Sequence, residues 1–155
     1  MTARIKVKNF SSLEKKLLGL PKHLLVPIQQ SVMDGALKIQ KTAIDSINRG
    51  SRSGVLYSKG GKVGRRSASG EYPKSDTGNL ARNIYVSVVA GSKKLAYEVG
   101  ANLRKAEYAM SLEFGSRKMS SRPWLFPSFR RNVNLIIKGI KTNVKKGLKK
   151  AGRWV

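Results

Sequence analysis

The sequence has no cysteine and a single histidine, His23, in 155 residues. Disulfides, thiolate metal sites and thiol redox chemistry are thereby excluded, and one imidazole cannot build a zinc site alone. Carboxylates are also scarce. Eight Asp and Glu stand against 32 Lys and Arg, giving a formal net charge of +24, and none of the eight lies beyond Glu113. No apolar stretch approaches the roughly 18 residues of a membrane span, and no apolar leader opens the chain. A soluble protein made in the cytoplasm is expected, with no membrane contact and no cofactor. A field of one sign acts on partners. Composition alone leaves two classes of partner open, nucleic acid and an acidic protein surface.

The length suits one domain, residues 1–155, of α+β class. Residues 4–8 alternate Arg4, Ile5, Lys6, Val7, Lys8, the period of a short strand. Ser11 and Glu14 have the spacing of a capping box, so a short helix is expected from there until Gly19 and Pro21 break it. Apolar residues then recur at helical spacing: Leu25, Ile28, Val32, Ala36, Ile39, Ala43 and Ile47. This predicts a long helix of about 33 Å at 1.5 Å per residue. Pro27 is expected in its first turn and Gly50 at its C-terminal stop. Residues 84–89 and 95–99 predict a β-hairpin around Gly91-Ser92-Lys93. Residues 107–114 fit a helical turn or a short strand equally. After Pro123 and Pro127 a last helix is expected over about 127–150, with the stripe Phe129, Val133, Ile136 or Ile137, Ile140, Val144, Leu148. Its other face carries Arg130, Arg131, Lys138, Lys141, Lys145, Lys149 and Lys150. Together these predict a small, mainly antiparallel sheet packed against the long N-terminal helix and the C-terminal helix.

Between the long helix and the hairpin, residues 50–75 are rich in glycine and base. Val55-Leu56-Tyr57 and Lys62-Val63 flank Gly60-Gly61, so this loop is expected to fold back as a hairpin arm. Arg52, Lys59, Lys62, Arg65 and Arg66 are its candidate contacts to a partner or to DNA. A loop this long in a small domain is usually functional or disordered.

Catalytic motifs are weak. Asp76-Thr77-Gly78 spells the aspartic-protease tripeptide, but that chemistry needs an Asp at the tip of an apolar strand, paired with a second Asp. Here the approach, Tyr72-Pro73-Lys74-Ser75, is polar and broken by proline. A helix N-cap from Ser75, Asp76 or Thr77 ahead of Leu80 is the expected role. Gly60-Gly61-Lys62-Val63-Gly64 lacks the Gly-Lys-Ser/Thr of a P-loop. No Ser/His/Asp set stands out, so no enzyme is expected. The basic last helix admits a core-facing, a membrane-surface or a nucleic-acid-binding role. A core helix with a charged outer face fits best, with Trp124 and Phe126 as anchors before it.

Two segments carry a resemblance. The first runs Gly64-Arg65-Arg66-Ser67-Ala68-Ser69-Gly70-Glu71-Tyr72-Pro73-Lys74-Ser75-Asp76-Thr77-Gly78-Asn79-Leu80. It resembles the phage tail-component family of siphophage head-tail joining and tail-terminator proteins, with an Ala-Ser-Gly-Pro stretch followed by Asp76, Thr77, Gly78 and Leu80 and then a strand. The second is Tyr108-Ala109, Leu112-Glu113-Phe114-Gly115-Ser116, and Arg122-Pro123-Trp124-Leu125 with Pro127, similar to the family's Glu-Phe/Tyr-Gly-Thr and Arg-Pro-Phe-Leu-x-Pro. Tyr72, Ser116, Trp124 and the very basic last helix depart from the pattern. The resemblance implies a virion structural protein at the phage neck, an α+β subunit that closes into a homo-oligomeric ring. Six copies are expected for a tail terminator, or twelve nearer the portal. Its implied partners are adjacent neck and tail-tube proteins, with nonspecific contact to genomic DNA in the channel. A basic nucleic-acid-binding protein is the alternative.

Overall fold

The computed structural model describes residues 10–93 and 95–150. The expected strand at residues 4–8 and the side chains of the Ser11–Glu14 box lie outside the described residues. The elements are α1 (Phe10–Leu18), α2 (Lys22–Asn48), β1 (Leu56–Lys59), β2 (Lys62–Arg65), α3 (Asn79–Arg82), β3 (Ile84–Val88), β4 (Tyr97–Ala101), α4 (Ala109–Phe114) and α5 (Leu125–Lys150). The class is α+β. Among the described residues there are two sheets in place of one, β1 with β2 and β3 with β4, each of two strands.

Helix α2 has 27 residues, about 40 Å at 1.5 Å per residue, longer than the stripe alone implied. It begins at Lys22, so Pro27 is its sixth residue and lies past the first turn. The proline ring leaves the His23 carbonyl without its usual helical donor. Residues 107–114 resolve as a helix, α4, because Ala109–Phe114 closes a turn and a half. A short helix, α3, holds Leu80 and precedes β3, which starts at Ile84 as expected. Gly78 stands at its N-cap with φ 74°, a left-handed conformation that a side chain disfavours. Capping by Ser75, Asp76 or Thr77 is therefore not seen at that position. Thr77 Oγ1 accepts the Asn79 N–H at 3.3 Å, while Asp76 is exposed.

The chain divides into two compact units, residues 1–38, 86–99 and 132–155 in the first and residues 39–85 and 100–131 in the second. In the first unit α2 and α5 pack antiparallel. A Cβ on Gly35 would lie 2.8 Å from Ile136 Cγ2, and one on Gly147 would lie 3.0 Å from the His23 carbonyl oxygen. Between these contacts Asn143 Nδ2 donates to Ser31 Oγ at 2.8 Å, and Ser31 Oγ donates to Pro27 O at 2.7 Å. Both glycines give up about 1 kcal/mol of helix propensity relative to alanine; in exchange the backbones approach closely. Of the two candidate stripe residues Ile136 faces α2, and Ile137 is exposed. At the hairpin tip the buried Ser92 hydroxyl donates to Val89 O at 2.7 Å, and Gln29 Nε2 of α2 donates to Lys93 O at 2.7 Å.

The second unit holds Ile39, Ala43, Ile47, Leu80, Ala81, Ile84, Ala106, Ala109 and Trp124 as its buried apolar residues. Gln40 Nε2 donates to Ile84 O at 2.8 Å, fixing the start of β3 to α2. The glycines of the helices make opposite predictions. Gly35→Leu should destabilise the protein by about 1–3 kcal/mol through overpacking against Ile136. Gly139 meets nothing within 4 Å, so Gly139→Ala should stabilise by up to about 1 kcal/mol. Denaturant unfolding of both variants checks this.

Candidate functional site

The second unit contains one end of each long helix, and each end leaves backbone groups without intrahelical partners. The C-terminal end of α2 presents carbonyls. Lys74 Nζ donates to Asn48 O at 2.8 Å, and the Ser75 N–H donates to Ile47 O at 3.1 Å. A cation at a helix C-terminus is favourable to the macrodipole. Gly50 is needed beside it, because a Cβ there would lie 2.8 Å from the Pro73 carbonyl oxygen.

The N-terminal end of α5 presents N–H groups, and Glu113 takes three of them. Its Oε2 accepts from Trp124 N at 2.7 Å and Leu125 N at 2.9 Å, and its Oε1 accepts from Phe126 N at 2.9 Å. Prolines 123 and 127 lack N–H groups and leave no further orphan at those positions. Trp124 is buried and donates its indole N–H to Ala109 O at 3.2 Å. Gly115, with φ 80°, ends α4 and turns the chain back, a Cβ there falling 3.2 Å from Ser121 N. The Arg122 N–H closes the turn onto Leu112 O at 2.6 Å. So Glu113, Gly115, Arg122, Pro123, Leu125 and Pro127, chosen from sequence, form one capping device. Phe114 belongs to it differently: its side chain is 66% exposed.

The two resembling segments are also bonded to each other. Arg122 Nε donates to Ser67 O at 2.7 Å, and Gly70 N donates to Ser121 O at 2.9 Å. Tyr72 OH lies 3.4 Å from the buried Ser128 Oγ, which donates to Trp124 O at 2.6 Å. The Arg131 guanidinium lies 5.3 Å from the centre of the Tyr72 ring. Leu80 is buried, whereas Asp76 and Thr77 lie on the surface. Ser67, Glu71, Lys74, Ser128 and Arg131 were not singled out from sequence. Their partners are 18 to 59 positions away or are backbone atoms, and no short-range pattern marks them.

An open cleft of about 620 Å³ borders this junction, lined by Asp45, Arg49, Glu71, Tyr72, Pro127 and Arg131 among others. The Glu71 carboxylate accepts hydrogen bonds from the Ser53 hydroxyl and, at 3.1 Å, from the Ala68 N–H. The Ser53 bond first, then Ala68 and Ser51, hold its pKa below the ordinary carboxylate value.

The arm is a tight hairpin. Leu56 pairs with Arg65, Tyr57 with Gly64, Ser58 with Val63 and Lys59 with Lys62. Gly60 and Gly61 have φ 57° and 74°, as a two-residue type I′ turn requires. Arg52, Arg65 and Arg66 are exposed, and Arg66 lies 5.2 Å over the Tyr57 ring. Arg65 and Arg66 are consecutive and take opposite faces, so the arm's bases do not share one face. Val55, Leu56 and Val63 are 79, 57 and 73% exposed.

Among the described residues no group of three or more His, Asp or Glu could hold a metal ion. The comparisons with known proteins found no matching family model, no matching curated protein and no matching solved structure.

The Glu71 geometry predicts a pH dependence. A carboxylate with a lowered folded-state pKa contributes stability above its unfolded value, near 4.5, and loses it as pH falls through the folded value. Glu71→Gln should therefore be less stable than the parent at pH 7, with the difference vanishing at low pH. Urea midpoints measured from pH 7 to pH 2 check it.

Proposed function

We propose that this protein is a structural neck subunit of a tailed bacteriophage, a head-tail joining or tail-terminator protein that assembles as a ring between head connector and tail tube. The carrying observation is that the two segments resembling that family, separated by some thirty residues, build a single junction. There they cap both long helices and leave aromatic side chains outside. Phe114 follows the capping carboxylate and Phe126 is one of the residues it caps; they are 66 and 49% exposed. Exposed aromatics beside a rigid backbone suit a subunit contact.

Helix α2 supports assembly independently. Val26, Met33 and Leu37, at spacings of seven and four, form an apolar line that remains exposed, on a helix whose other face is already packed. A six-membered ring would bring together well over a hundred positive charges from subunits of +24 each. The Debye length of about 8 Å at physiological salt screens these only in part. Acidic surfaces of neighbouring neck and tail proteins, or the genome end, would offset the repulsion. The arm suits such docking, because a lone two-stranded hairpin with apolar residues exposed gains stability from a partner.

Native mass spectrometry of the purified protein tests the ring, with six subunits expected, or twelve nearer the portal. A monomer at every protein and salt concentration would contradict it. For the arm, neutralising Arg52, Lys59, Lys62, Arg65 and Arg66 to Gln should leave the fold intact and abolish joining of heads to tails. Normal yields of infectious particles from that variant would overturn the docking role.

A further inference from the structure

The centre of the exposed face of α5 is a row of lysines. Lys138, Lys141, Lys145 and Lys149 are all exposed, and at spacings of three and four they stand on one stripe. Thr142 and Asn134 lie on the same stripe, and Lys146 stands at its edge. The row covers about 16 Å of helix at 1.5 Å per residue. Among the described residues none of the four lysines is paired with a carboxylate, and α5 contains no acidic residue.

A solvated helix face would ordinarily alternate signs, since like charges three or four apart oppose helix formation. The helix dipole favours cations only in the last turn. That accounts for Lys149 and its neighbours but not for Lys138 and Lys141, about three and two turns earlier. The row is thus unfavourable in the free protein and calls for a polyanion.

The kind of polyanion follows from what surrounds the row. The apolar arc of α5, including Ile136 and Gly147, is packed on α2, and the exposed Leu135 and Ile137 fall on opposite sides of the row, so this stretch presents no continuous apolar arc to a membrane. Residues 132–149 contain no aromatic side chain, which removes the stacking platform that single strands use. There is no Arg in the row for bidentate reading of bases, and lysine acts on phosphate as a point charge. Lysine is also depleted at protein–protein contacts. A duplex strand carries one phosphate per 3.4 Å of axis, so the row spans about five of them.

We infer that the Lys138, Lys141, Lys145 and Lys149 row of α5 is a binding surface for the phosphate backbone of double-stranded DNA, read without regard to sequence. The inference does not rest on the ring or on the neck reading.

A protein of this charge binds DNA at low salt wherever its cations lie, so the test compares equal charge removed at different places. Affinity for a fluorescent duplex of mixed sequence is measured by anisotropy from 50 to 300 mM salt. Three proteins are compared: the parent, the quadruple Lys→Gln variant of the row, and a control with Lys15, Lys16, Arg104 and Arg117 changed to Gln. The slope of log K against log salt should become shallower by about 3 to 4 in the row variant, at roughly 0.9 per phosphate contact, and by less than 1 in the control. A quadruple Lys→Arg variant of the row should keep the parent slope, which separates loss of charge from loss of fold. Equal slopes in row variant and control would overturn the inference. So would displacement of the duplex by polyglutamate as readily as by unlabelled duplex at equal charge, since the row would then read negative charge of any kind.

Discussion

Two long helices each leave one end in the second unit, and the rest of that unit is arranged around satisfying them. The decisive contact is the Glu113 carboxylate on the Trp124, Leu125 and Phe126 N–H groups. It brings a negative charge to the positive end of α5, where both the hydrogen bonds and the macrodipole favour it. Lys74 does the converse at the negative end of α2. Each cap comes from a different resembling segment, and Arg122 on Ser67 ties the segments together.

This gives the segment residues a structural role. Glycine at 115 permits the left-handed turn after the carboxylate, and proline at 123 and 127 removes donors that the carboxylate could not also serve. Trp124 fills the space beneath. A chain so constrained holds Phe114 and Phe126 at the surface in fixed positions.

Periodic features were legible in the sequence. The stripe of α2 from Ile28 to Ile47, the hairpin after Ile84 and the α5 stripe from Val133 to Leu148 follow from spacing, because burial selects one face of a regular element; Phe129, expected on that α5 stripe, is exposed instead. Features that depend on distant partners were not. Nothing local to Gly35 or Gly147 reports that Ile136 or His23 lies against it, and the Glu113 cap joins positions 11 to 13 apart through a turn. Residues 107–114 were ambiguous because six residues of helix show too little period. The caps sought at Ser75–Thr77 failed because α3 begins behind a left-handed Gly78, and Pro27 was misplaced because α2 starts before its apolar stripe does.

The most direct measurement is stability together with amide hydrogen exchange in Glu113→Ala. The variant should be less stable by about 1–3 kcal/mol, the cost of orphaned donors to a charged acceptor. The Trp124, Leu125 and Phe126 amides should lose protection, while the amides of α2 that do not depend on the cap keep theirs relative to global unfolding. Stability within about 0.5 kcal/mol of the parent, the range of an ordinary surface change, with those three amides still protected, would contradict the account.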